Sequence, residues 1–169
     1  MDRLRRAAWL LIVVADAGIL LWGAMAALAP EHLLGPGGAP ILPAGYEGFS
    51  RGSWLELGPA ARGFMEVLFR VYGAFNVAFG LLAIAVAATA FRRGDQWAWW
   101  ALLAGNTITF GAAMTYDRTV NAIGPFELSE YLGLAVIYAA LVVTAPFLAA
   151  GRKRGRGLTH PESAWTSPP

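Results

Sequence analysis

Residues 7–29 read AAWLLIVVADAGILLWGAMAALA, an apolar run of about 23 residues broken by a single acid, Asp16. A hydrocarbon core about 30 Å thick takes roughly 20 helical residues to cross, so this stretch has the length of a membrane-spanning helix. Three further apolar runs follow at about 64–91, 97–116 and 131–150, and the first of these carries no charge beyond Arg70. Inside lipid every backbone group must be paired within its own segment or within a closed barrel. Uninterrupted runs of this length fit helices and not the roughly ten-residue strands of a barrel. The expected fold is all-α: an integral membrane four-helix bundle spanning residues 1–150 as a single domain, with residues 151–169 as a disordered cytoplasmic tail.

Composition agrees with this reading. Of the 169 residues, 57% are hydrophobic and only 14% charged, whereas a soluble domain carries about 25% charged residues. The mean hydropathy is +0.50. With no cysteine, a disulfide scaffold, a thiolate zinc site, an iron–sulfur cluster and dithiol redox chemistry are excluded. The two histidines, His32 and His160, fall on opposite sides of the membrane, which rules out a bis-histidine haem within one chain. No phosphate-binding glycine loop, G-x-S-x-G elbow or H-E-x-x-H occurs, so no catalytic or metal-ligating residue is assigned.

Orientation follows from the basic residues that flank the spans. Arg3, Arg5, Arg6, Arg92, Arg93, Arg152, Lys153, Arg154 and Arg156 fall on one side, nine of the 13 lysines and arginines. Both termini are therefore expected in the cytoplasm. The isoelectric point near 9.3 reflects these anchors, and no soluble basic face exists to bind nucleic acid. A secretory signal peptide would also begin with basic residues, an apolar run and small residues. The length of the run and Asp16 within it favour a retained helix.

The connections differ in length. Residues 92–96 leave only a tight turn between helices two and three, which makes them antiparallel neighbours. Residues 30–63 form a long extracytoplasmic loop between helices one and two, rich in glycine and proline yet carrying Tyr46, Phe49, Trp54 and Leu57. Its expected form is a cap, with a short amphipathic helix around Ser53 to Leu57, lying on the outer membrane surface or over the bundle mouth. Trp9, Trp97, Trp99 and Trp100 mark the cytoplasmic interface.

Polar residues inside the spans are the candidates for function, because ionisable groups in lipid are costly. Asp16, flanked by Ala15, Ala17 and Gly18, must be protonated, paired or facing a wet cavity. It reads either as a proton or ligand site or as an interhelical partner of Asn106 or Thr107. Glu66 and Arg70 stand i,i+4 at the outer end of helix two, followed by Tyr72, Gly73, Asn76 and Gly80. Here Arg70 reads as an anion anchor or as a snorkelling interfacial pair, and the glycines, with Gly105 and Gly111, as seats for close packing. Asn106, Thr109, Ala113 and Asp117 share one stripe of helix three. By depth, Glu66, Arg70, Tyr72, Asp117, Arg118, Glu127, Glu130 and Tyr131 form one outer layer, either an ion-pair network or the polar rim of a pocket. The ligand-binding candidates are thus Asp16, Glu66, Arg70, Tyr72, Asn76, Asn106, Asp117 and Glu130.

The helix order, the long first outer loop, the Arg70-x-Tyr72-Gly73 string and the glutamate before helix four together resemble the DoxX-like group of small four-helix bacterial membrane proteins, over residues 7–150. The resemblance implies a multi-pass protein of the bacterial inner membrane, in a group whose members have been linked to quinone-coupled redox complexes. It transfers no catalytic residue. The functional expectation is an accessory or amphiphile-binding bundle holding a lipid or quinone, in a homo-oligomer or a larger membrane complex. The alternative is a small proton-coupled transporter working as a homo-oligomer, with the proton on Asp16 and the substrate's negative group on Arg70. A weaker third reading is a membrane enzyme using Asp117 and Glu130 as acid and base.

Overall fold

The computed structural model describes residues 2–30, 33, 56–119 and 125–156. Among them the chain forms four α-helices and no strand: α1 (Asp2–Leu28), α2 (Pro59–Val86), α3 (Gln96–Thr119) and α4 (Pro125–Arg156). Each helix begins before its apolar stretch, and α3 and α4 also end after theirs, because backbone hydrogen bonding does not stop where hydropathy falls. Pro59 lies in the first turn of α2, where its missing N–H is no loss. Helix α4 continues through residues 151–156, the first part of the segment expected to be a disordered tail. The cap between residues 34 and 55, the connection 120–124 and the chain beyond Arg156 lie outside the described residues.

Small and polar side chains face inward. The buried positions of α2 are Gly73, Asn76, Gly80 and Ala83, continued by Ala87 and Ala90 in a π-helical turn, Ala87–Phe91. They alternate three and four apart, a single seam of small residues. α1 lies directly in it. A Cβ on Gly23 would come within 2.7 Å of Asn76 Cβ and Val77 N; one on Gly80 would stand 2.9 Å from Leu20 Cβ; one on Gly73 would enter the backbone of Gly23, Ala26 and Ala27. Gly73 and Gly80 thus serve the close approach that their seven-residue spacing predicts. Gly105 does so against Phe79, at 2.9 Å from Cε2, whereas Gly18 and Gly111 have nothing within 4 Å of a Cβ. Those two glycines admit no neighbouring helix.

Large apolar side chains lie on both sides: Ile12, Leu102, Phe110, Ile137 and Leu141 form the buried core of the bundle, while many others point outward. Phe75 and Ile108 are each 71% exposed, and Leu21, Leu82, Leu132 and Val142 are exposed as well. The buried set includes Asp16, Asn76, Asn106, Asp117 and Thr144. Two helical segments, Ala7–Leu28 and Pro59–Phe91, are long and apolar enough to cross a membrane; Glu130–Pro146 is a shorter apolar helix, and α3 is too polar to join them.

α1 is the hub, packed along α2 and also on α4, and α3 packs on α4. The tight connection predicts α2 and α3 as close neighbours, but they touch mainly near the turn that joins them. The reason is that the small-residue seam of α2 is occupied by α1. At the turn itself Gly94 takes φ 91°, a conformation open to glycine, so that the Gly94 and Asp95 N–H groups both donate to Ala90 O at 3.1 and 3.0 Å. Nearby, the Arg92 guanidinium sits 5.2 Å from the Trp9 ring. Trp97 and Trp100 are exposed, as an interfacial belt requires, but Trp99 is turned inward and donates from Nε1 to Leu141 O at 2.8 Å. It ties α3 to α4 beside Pro146, which lies inside α4 and cannot donate to the carbonyl a turn earlier.

Candidate functional site

Asp16 stands near the middle of α1, fully buried. It comes within side-chain hydrogen-bonding reach of Asn106 from α3, as one of the two sequence readings expects. Thr107, the other proposed partner, bonds Leu103 O and meets the Tyr138 hydroxyl at 2.8 Å instead. The Asp16–Asn106 contact is loose. Asn106 Nδ2 donates to Leu102 O at 3.0 Å, and both Asp16 carboxyl oxygens and Asn106 Oδ1 close no well-formed bond. Asp16→Asn keeps the shape and supplies donors at this point. Its expected thermal midpoint is at or above that of the wild type, since satisfying a buried polar group contributes about 1 kcal/mol. A midpoint lowered by many degrees in a melting assay would show the carboxyl itself to be a structural partner.

Toward the end of the bundle opposite the tight turn, the four helices leave a cavity of about 240 Å³. α1 contributes Val14, Ala15, Gly18, Ile19 and Trp22; α2 contributes Tyr72 and Asn76; α3 contributes Thr109, Phe110 and Ala113; α4 contributes Glu130 and Gly133. The open space at Gly18 is part of this volume. Val14 and Tyr72 line the cavity and are also exposed, at 69% and 41%, so it opens to the bundle's surface beside them. Its deeper walls are apolar and its far end is polar. There the Tyr72 hydroxyl lies within hydrogen-bonding reach of the Trp22 and Asn76 side chains, in the field of the Glu130 and Asp117 carboxyls. Asn76 itself is fixed by donation from Nδ2 to Tyr72 O at 3.0 Å.

Three of the eight sequence candidates, Tyr72, Asn76 and Glu130, therefore meet in one cavity, and Asp117 stands beside it. Asn106 and Asp16 form a separate deeper pair. Glu66 is half-buried and outside the lining. Arg70 is also outside it: its Nη1 donates to Ala27 O at 2.9 Å and Leu28 O at 3.2 Å, covering carbonyls that the end of α1 leaves without helical donors. Sequence reasoning misses Trp22 and Phe110, and it reads Gly18 as a small neighbour of Asp16 for close packing, whereas nothing stands within 4 Å of a Cβ there. The signal was present for α1, since Ala15, Gly18, Ile19 and Trp22 follow the i, i+3, i+4, i+7 spacing of one stripe. Among the described residues no three histidines or carboxylates come together to hold a metal ion. The chain matches no family model, no curated protein and no solved structure.

Proposed function

We propose that this protein is a multi-pass membrane protein whose helix bundle holds an amphiphile, an accessory binder with a plan similar to that of the DoxX-like group. The observation that carries this is the cavity: apolar walls, a polar end formed by Trp22, Tyr72, Asn76 and Glu130, and an opening flanked by exposed Val14 and Tyr72. Pockets of this kind orient a mostly apolar guest through a few placed polar groups. Access from the bilayer fits the many large apolar side chains that the helices expose, among them Val14, Leu21, Phe75 and Ile108. The position of α1 between α2 and α4 supports its retention as a helix rather than its removal as a signal peptide. The basic residues at the tight-turn end support cytoplasmic termini in a bacterial inner membrane.

The test is native mass spectrometry on protein released gently from its own membrane. The expected result is one retained lipid, quinone or other amphiphile per chain. Protein that is uniformly bare under conditions preserving other lipid complexes contradicts the proposal.

A second reading, a small proton-coupled transporter, is favoured by one observation: Asp16 is fully buried with neither carboxyl oxygen well bonded. A costly acid in an apolar interior is a default candidate for proton exchange. On this reading Asp16→Asn abolishes uptake while the protein still inserts and assembles, and undiminished uptake excludes it.

A further inference from the structure

We propose that Thr109 is the residue that selects the guest, by donating from its hydroxyl to a carbonyl oxygen on an uncharged amphiphile. This inference rests on the amphiphile reading and names the chemical class of the guest.

The polar side chains that line the cavity are those of Trp22, Tyr72, Asn76, Thr109 and Glu130, and all but one are engaged within the protein. The Tyr72 hydroxyl lies within reach of Trp22 and Asn76, and Asn76 Nδ2 donates to Tyr72 O. Trp22 and Glu130 each have a further interaction as well. Thr109 differs. Thr89, Thr107, Thr115, Thr119 and Thr144 each turn the hydroxyl back to the carbonyl four residues earlier, the bond by which a helix satisfies a threonine without water. The Thr109 hydroxyl makes neither that bond nor any other among the described residues. Thr109 stands ten residues before Thr119, the last residue of α3, and so about 15 Å inside that end. Phe110 and Ala113, its apolar neighbours on α3, line the cavity with it. A hydroxyl without a partner in apolar surroundings is costly, and an acceptor on a guest supplies what the helix carbonyl supplies to the other threonines. A carbonyl oxygen is such an acceptor and brings no charge into the apolar wall. A charged head would give up its hydration for a single bond to one hydroxyl, which does not cover the loss.

The test compares methyl undecyl ketone with the alkene that carries a methylene group in place of its oxygen. Each competes with a diazirine-bearing alkyl chain for photolabelling of the cavity, on the full-length protein in lipid nanodiscs. The ketone is expected to compete about 5-fold more strongly than the alkene, the worth of one net hydrogen bond. Thr109→Val keeps the shape and removes the hydroxyl. It abolishes that preference and leaves the alkene's competition and the melting temperature unchanged, and Thr109→Ser restores the preference. Both probes partition into the same bilayer, so the change between wild type and Thr109→Val isolates the hydroxyl. Equal competition by the two probes in the wild type, or a ketone preference that survives in Thr109→Val, overturns the assignment and leaves the amphiphile reading standing. A melting temperature lowered by Thr109→Val shows the hydroxyl bonded within the protein and overturns the assignment too. If neither probe displaces the label, the amphiphile reading fails and the assignment with it.

Discussion

Gly73→Leu is expected to prevent α1 and α2 from closing on each other. At this position even a Cβ would enter the backbone of Gly23, Ala26 and Ala27, and backbone cannot rotate out of the way as a side chain can. Leucine is the better helix former by roughly 1 kcal/mol. Against that, overpacking a well-filled interface costs about 1–3 kcal/mol and more where the neighbours are rigid. The steric effect wins, because the clash begins at the first side-chain atom and the rest of the leucine has nowhere to go. The bundle should lose its sharp melting transition and elute as aggregate in size-exclusion chromatography. Gly111→Leu is the control: nothing stands within 4 Å of its Cβ, and a wild-type profile is expected. If Gly73→Leu behaves like that control, the contact between α1 and α2 has been misplaced.

Gly18→Leu is expected to do the opposite, keeping the fold and emptying the site. The same open space surrounds Gly18, but here it is the cavity that the four helices share. A leucine at this position fills part of about 240 Å³ with apolar atoms and improves the helix propensity of α1. Stability should hold or rise by about 1 kcal/mol, while retained amphiphile falls at least 10-fold by native mass spectrometry. Two glycines fifty-five positions apart in one chain thus give opposite outcomes for one chemical change. Retention of the guest at wild-type level in a folded Gly18→Leu protein would place the binding site elsewhere.

Much of the architecture is legible in the sequence because lipid and packing leave strong periodic marks. The apolar runs locate all four helices, and the seven-residue spacing of Gly73 and Gly80 marks the face on which α1 packs. The stripe Asn106–Thr109–Ala113–Asp117 is realised, with Thr109 and Ala113 lining the cavity and Asn106 and Asp117 buried. Helix ends are less legible, since polar residues such as those near Asp2 and Arg156 continue a helix that hydropathy ends earlier.

Rotation and pairing are the harder part. Hydropathy cannot say which face of α1 looks inward, so Trp22 stands unremarked among equally apolar neighbours. Small size alone does not separate a glycine that seats a helix, such as Gly23, from one that borders open space, such as Gly18. The role of Arg70 depends on carbonyls 42 and 43 residues away, across a connection whose path no local pattern encodes. Trp99 shares its exposed neighbours' composition and differs only in finding Leu141 O.

Photolabelling tests the central claim most directly. A membrane-permeant alkyl chain carrying a diazirine is equilibrated with the protein in native membranes, irradiated, and its adducts are mapped by peptide mass spectrometry. The account predicts saturable adducts at Ala15, Gly18, Ile19, Thr109 and Ala113, which excess unlabelled amphiphile suppresses. Labelling confined to the outward stripe of Phe64, Val71, Phe75 and Leu82, unsaturable and indifferent to competitor, would contradict it.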